Sequence, residues 1–217
     1  MSKKALNAAL LLAVATAVVL PGCKVAPQRY STPHAQVFTL QPGGLEQGGL
    51  AFLTPSTVTG QEEDKQPLAL MFSSTLTGAR PAIRVLSLAD TLSAVNRTGL
   101  TDGYKRMYQG YRDTGLFDPG LLRQIGDAAG IRYAAQIKMA GFGQGTKDRF
   151  GVFGLSIVYT QVANIRLFLQ IWDTHTGAIA WEGVEELSAS YETLAEKPVT
   201  MQSMVQDAAG ELIKRLP

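Results

Sequence analysis

Apolar positions run almost unbroken through residues 5–20, where only Asn7 and Thr16 interrupt them. Lys3 and Lys4 precede the run, and Pro21, Gly22 and Cys23 close it. A charged start, an apolar middle and a small-residue boundary are the pattern of an export signal. A spanning helix wants about 20 apolar residues, so the run reads as an address rather than a permanent membrane segment. The pattern then dissolves. Residues 24–49 carry Pro27, Pro33, Pro42 and glycine pairs beginning at Gly43 and Gly48, set among Gln, Ser and Thr. That composition predicts a flexible tether, able to reach roughly 80 Å when extended.

Regular patterning begins at Leu50. Residues 50–58 open with an apolar run and predict a strand buried on both faces. Pro67 suits the first position of a helix to about Thr77, with Leu68, Phe72, Leu76 and Ala79 on one stripe. Residues 83–88 are again nearly continuous in apolar character and predict a second strand, parallel to the first. A loop runs through Asn96 to Gly99. Tyr104, Met107, Tyr108 and Tyr111 then share one helical face at i, i+3, i+4 and i+7. Asp118 and Pro119 supply an N-cap and first position for a third helix, with Leu122 and Ile125 on its apolar face and Gly130 as its stop.

The period changes to two in the second half. Ile131, Tyr133, Ala135, Ile137 and Met139 alternate with Arg132, Ala134, Gln136, Lys138 and Ala140, as in a strand with one face buried. Residues 150–160 and 164–173 predict two further strands. Gly141, Gly143 and Gly145 read as a flexible hairpin or loop with Lys147, Asp148 and Arg149 at its exposed tip. A turn at 173–177 leads to a return strand from Ala178 to about Tyr191. Met204, Val205, Ala208, Leu212, Ile213 and Leu216 then predict a closing amphipathic helix. The resulting order is β-α-β-α-α-β-β-β-β-α. It predicts an α/β fold, a two-layer mixed sheet with a parallel N-terminal half, an antiparallel C-terminal meander and helices packed on it. The expected organisation is a signal over 1–22, Cys23 and a tether over 23–49, and one domain over 50–217.

Charge narrows the function classes. Twenty basic and 18 acidic residues nearly cancel. Lys3, Lys4, Lys24 and Arg29 lie in the expected signal and tether, so no basic field remains for nucleic acid. Two histidines and one cysteine are too few for a zinc site of the His/Cys kind. No cofactor or small molecule is expected.

The boundary Leu20, Gly22, Cys23 resembles a bacterial lipoprotein signal, with Pro21 departing from its usual middle position. The resemblance implies that Cys23 is lipidated, with palmitate among its acyl chains, and becomes the mature N-terminus. An ordinary cleavable signal with Cys23 as a leftover thiol is the alternative. Lys24 is not the aspartate that retains such proteins at the inner membrane of enterobacteria, which implies the outer membrane, on its periplasmic face.

Three further strings carry a second resemblance. Residues 122–133 join a helix to a central strand, residues 169–177 hold Trp172, Asp173, Thr174 and Gly177, and residues 178–182 hold Trp181. Together they are similar to a group of envelope proteins that includes the curli-secretion lipoprotein, the N-terminal domain of TolB and the lipoprotein activators of penicillin-binding proteins. The Asp-x-x-Thr-Gly-x-x-x-Trp hairpin of that group is a mark of fold: Asp173 caps the turn and Gly177 supplies a positive φ. The strand connections are too short for paired barrel-forming insertions, so no pore is implied.

Catalytic groups are sparse. Gly141, Gly143 and Gly145 follow a strand with no helix after them, whereas a phosphate cradle needs a helix N-terminus. Glu182 and Glu186 share a strand face while Glu185 points away, as on a solvated edge strand. His34 falls in the tether and His175 in a tight turn, and no Gly-x-Ser-x-Gly occurs. The chain is not expected to be an enzyme. Tyr104, Tyr108 and Tyr111 form either a core-packing face or a partner surface. The expected function is a lipid-anchored binding or assembly module of the cell envelope, attached to the membrane through Cys23. It would act on another envelope protein or by self-association, the alternative being a subunit of an oligomeric secretion or assembly ring.

Overall fold

A computed structural model describes residues 28–57, 60, 62–152, 155–193 and 199–217. In chain order the elements are β1 (Gln28–Val37), α1 (Gly44–Gly48), β2 (Leu50–Phe52), β3 (Ser56–Thr57), α2 (Glu62–Ala79), β4 (Val85–Leu86), α3 (Leu88–Arg97), α4 (Thr101–Thr114), α5 (Pro119–Ala129), β5 (Tyr133–Val152), β6 (Leu155–Asp173), β7 (Ala178–Thr193) and α6 (Met201–Ile213). The strands form one mixed sheet in the order β1-β7-β6-β5-β2-β4, with β3 paired to β5. β2 is parallel to both β4 and β5, and the β5-β6-β7-β1 run is antiparallel throughout. This is the mixed α/β sheet with packed helices that the periodicities predict, parallel in its first half and antiparallel in its second.

Period-two patterning assigns each sheet face its own helices. Tyr133, Ala135, Ile137 and Met139 of β5 face the same way as Leu167, Leu169 and Ile171 of β6, and they bury the apolar stripes of α2 (Leu68, Phe72, Leu76) and α6 (Met204, Val205, Ala208, Leu212). Ala134 and Trp172 point to the opposite face, where Val95, Tyr104, Met107, Tyr111, Phe117, Leu122 and Ile125 cover them. That second helical layer sits only at the β2 end of the sheet.

Local chemistry explains the helix boundaries. The Ser87 side chain accepts from the Asp90 N–H while the Asp90 carboxylate accepts from Ser87, a complete capping box that starts α3. Asp118 accepts from the Leu121 N–H at 2.8 Å, Pro119 occupies the first turn of α5, and Gly130 ends it at φ +64°.

The expected tether over 23–49 is corrected from Gln28 onward. Residues 28–37 pair along their whole length with β7, from Gln28 opposite Ser190 to Val37 opposite Trp181. Arg29 reaches Asp207 of α6 at 3.2 Å, and Leu40 and Leu45 are buried in the main core. The domain therefore takes in residues 28–49 as well, and β7 is an interior strand rather than an edge. Three smaller boundaries also shift. The helix predicted from Pro67 begins earlier, at Glu62. The strand predicted over 83–88 is only Val85–Leu86, because the capping box turns the chain into α3. Of the hairpin and loop readings of the glycine-rich stretch after Met139, the pairing with β6 gives the hairpin: β5 continues to Val152, and β6 is one strand where two were predicted.

Candidate functional site

Where the α4–α5 layer stops, one face of the antiparallel run is left open. Every second residue from Val162 to Gln170 on β6 and from Glu182 to Ser190 on β7 lies on this face, and the cross-strand register sets those residues in rows. One row runs Lys138, Phe168, Val184, His34, and beside it lies Gln136, Gln170, Glu182, Gln36. On the other side Arg166, Glu186 and Thr32 stand in line, followed by Asn164, Ser188 and Tyr30. Tyr30 is among the most exposed large side chains described.

Two shallow hollows follow these rows. One, of about 350 Å³, is lined by His34, Gln36, Phe168, Gln170, Glu182 and Val184. The other, of about 440 Å³, is lined by Phe142, Asn164, Arg166, Glu186 and Ser188 among others. Apolar surface from Phe168 and Val184 thus lies among charged and amide groups. Arg166 bridges the two hollows: its guanidinium pairs with Glu186 at 2.9 Å and lies 5.1 Å from the Phe168 ring centre. Both members of the ion pair are more than half exposed, so the pair adds little to stability and is available to a partner. At the helix-layer edge a polar chain closes the first hollow. The Tyr111 hydroxyl donates to Gln170 Oε1 at 3.1 Å, and Gln170 Nε2 donates to Glu182 Oε2 at 3.4 Å.

Of the two readings of the tyrosine face, the placement of its side chains matches core packing. Tyr104 and Tyr111 are only 8% and 9% exposed, and Tyr108 is half-buried. Each hydroxyl is engaged: Tyr104 accepts from the Thr54 N–H at 2.8 Å, Tyr108 donates to the Pro55 carbonyl at 2.7 Å, and Tyr111 holds Gln170. Tyr111 stacks on Phe117 at 4.4 Å, and burial, followed by the neighbouring Tyr108, pushes its pKa up to about 12. The three tyrosines fasten α4 to the β2–β3 connection and to β6. Cys23, the expected lipidation site, lies outside the described residues.

The expected facing of the glutamates is what the structure has. Glu182 and Glu186 look out on the open face, while Glu185 is fully buried on the other side, opposite Pro33 of β1. Neither Glu185 carboxyl oxygen has a hydrogen-bond partner among the described residues. Burial raises its pKa most, the nearby Ser31 side chain lowers it, the charge of Glu211 raises it further, and the Thr32 N–H and Arg215 lower it, with a net rise. No cluster of three or more His, Cys, Asp or Glu side chains suited to a metal ion occurs among the described residues.

The signature hairpin is held as its residues suggest. Asp173 accepts from Arg132 at 2.9 Å and from the His175 N–H at 2.9 Å, and Gly177 sits at φ +72°. What sequence reasoning did not single out is Phe168, Val184 and Arg166. Their signal was an apolar residue on the wet phase of a strict alternation.

No family model matches the chain, and no curated protein matches it. Among solved structures, the PelC dodecamer from Paraburkholderia phytofirmans is similar at 12% identity and a TM-score of 0.45, over 86% of this chain and 97% of that one. Lipoprotein GNA1162 from Neisseria meningitidis is similar at 14% identity and a TM-score of 0.43, over 77% of this chain and 98% of that one. These are distant likenesses, and they assign no residue a role. No described helix is long and apolar enough to cross a membrane.

Proposed function

We propose that the chain is a non-catalytic, lipid-anchored module of the cell envelope, tethered through Cys23 at the periplasmic face of the outer membrane. It binds another envelope protein through the open face of the β5-β6-β7-β1 run. The observation that carries this reading is the mixed character of that face, with Phe168 and Val184 set beside Arg166, Glu182 and Glu186 and no helix above them. A sheet face meant only for water would alternate to polar residues throughout. Aromatic and aliphatic surface ringed by charge is how protein interfaces are composed. The engagement of the tyrosine tips within the domain favours this face as the docking surface.

A photo-crosslinking residue at Val184, with a control at Asp113 on the exposed side of α4, tests the reading in intact cells. An adduct at 184 and none at 113 supports it. Absence of any adduct at 184 while the protein is present at normal level overturns it.

A second reading, a subunit of an oligomeric ring, draws on β1. As the edge strand of the described sheet, β1 offers its outer backbone to a neighbouring copy. Native mass of the delipidated protein separates the two readings: a monomer removes the ring.

A further inference from the structure

At the end of the sheet where β5 begins, α1 lies directly against Arg132 and Tyr133. Gly48 permits the contact, since a Cβ there would stand 2.8 Å from the Tyr133 ring and 2.9 Å from Arg132 Cβ. The Gly48 carbonyl accepts from the Arg132 N–H at 2.8 Å, which fixes the approach. Between this contact and residues 39–42 a cleft of about 290 Å³ remains, with Thr39, Gln41, Gln47, Arg132 and Tyr133 among its lining.

Tyr133 is the unusual member. It is only 4% exposed, yet its hydroxyl has no hydrogen-bond partner among the described residues. The buried tyrosines Tyr104 and Tyr111 each have one, as a buried hydroxyl normally does. The Tyr133 hydroxyl sits beside Gly44, where a Cβ would come within 3.3 Å of it, and both residues line the cleft. A donor that the fold does not use is therefore placed at the cleft.

Arg132 adds charge in a fixed position. Its Nε and Nη2 donate to Asp173 Oδ2 at 3.1 Å and 2.9 Å, and its guanidinium lies 5.4 Å from the Tyr133 ring centre. Asp173 is buried while Arg132 is half exposed, so the cation is oriented from behind and keeps Nη1 free of any described partner. No Asp or Glu is among the described residues that line the cleft. Such a site is rich in donors and calls for an anionic oxygen; a guanidinium fork suits a carboxylate. Gln47 and Gln41, the latter held only by a 3.5 Å contact to the Thr39 carbonyl, offer both a donor and an acceptor, as a peptide group requires. The volume is at the small end of ligand sites, roughly 300–1,000 Å³, and fits a chain end rather than a folded surface.

We propose that this cleft receives the C-terminal carboxylate of a peptide chain, with Arg132 and the Tyr133 hydroxyl donating to the carboxylate and Gln41 and Gln47 meeting the adjoining peptide group. The site is separate from the open sheet face and does not rest on the lipid-anchor reading.

The test titrates the full-length protein, in detergent solution at neutral pH, with N-acetyl-alanyl-alanine, with its C-terminal amide and with acetate, followed by calorimetry. The expected result is saturable binding of the acid, none of the amide and weaker binding of acetate. Tyr133→Phe weakens binding of the acid by about tenfold or more at an unchanged melting temperature, because the hydroxyl it removes holds nothing described in the fold. Gly44→Ala, whose methyl group stands against that hydroxyl, weakens binding as well. Absence of saturable binding, or equal binding of acid and amide, overturns the proposal. Acetate bound as tightly as the dipeptide overturns the peptide end and leaves a site for small free acids. Tyr133→Phe with the affinity of the parent, or with a lowered melting temperature, overturns the role given to the hydroxyl and the proposal with it.

Discussion

Thr174 of the β6–β7 turn lies so close to Gly126 of α5 that a Cβ built on the glycine would stand 2.4 Å from Thr174 Oγ1. The turn and the helix therefore meet through the absence of a side chain. Gly126→Ala sets two effects against each other: alanine gains about 1 kcal/mol of helix propensity, whereas crowding a packed contact costs about 1–3 kcal/mol. Backbone atoms share the crowding, since the Ile131 carbonyl is 3.1 Å away, so the cost wins. The expected outcome is a lowered melting temperature. Gly110→Ala in α4, where nothing lies within 4 Å of the added atom, raises stability by about 0.4–1 kcal/mol. Thermal unfolding of both variants checks the contrast.

Glu185 predicts a pH dependence. Its carboxyl is held above the ordinary value of 4.5, chiefly by burial. The folded state thus keeps a proton that the unfolded chain releases, and stability falls as pH rises from that ordinary value through the folded one. Below the ordinary value the penalty is absent. Glu185→Gln removes this contribution, so the variant exceeds the parent in stability at neutral pH and the difference narrows toward pH 4. Denaturant unfolding across that range measures it, and equal curves for the two proteins would contradict the assignment.

The tyrosines predict a stability effect without a binding effect. Tyr104→Phe leaves the Thr54 N–H without its partner, which costs about 1–3 kcal/mol. Tyr111→Phe loses the bond to Gln170 at a cost of about 0.5–1.5 kcal/mol. Neither substitution changes the yield of a crosslink formed at residue 184, measured at a temperature where both variants are folded.

Arg166→Glu predicts the reverse. The residue is exposed and its ion pair weak, so stability changes by no more than about 0.5 kcal/mol. The open face loses its cation and gains a third carboxylate beside Glu182 and Glu186, and crosslinking at 184 falls. Equal yield from the variant and the parent would place docking elsewhere.

Much of the fold was legible because burial writes a period into sequence. The alternation of β5, the caps of α5 and the stripe of α6 were each read from residue spacing. β1 was not legible. An edge strand exposed along nearly its whole length has no apolar phase to detect, and Pro33 is tolerated there because an edge residue has an N–H to spare. The run from Gly141 to Gly145 left hairpin and loop open for a related reason: strand pairing with β6 holds it through the backbone, and glycine leaves no side-chain signature of that. At α3 two signals overlapped. Leu86 and Leu88 extend an apolar run, and Ser87 with Asp90 turns the same residues into a helix start. At the candidate site the residue types were legible and their neighbours were not. Tyr111 and Gln170 are 59 positions apart in sequence, and only the packing of α4 on β6 tells which tyrosine tips are occupied.

The position of β1 bears on how the domain carries mechanical load. Its first residue is the one nearest the chain's N-terminal segment, and its rungs to β7 run from Gln28–Ser190 to Val37–Trp181. Antiparallel hydrogen bonds lie perpendicular to the strands. A pull on the N-terminal segment along the strand axis therefore meets all the rungs at once, in shear, instead of opening them singly from one end. The same ten residues that sequence patterning leaves looking slack are placed to bear such a pull as a strap.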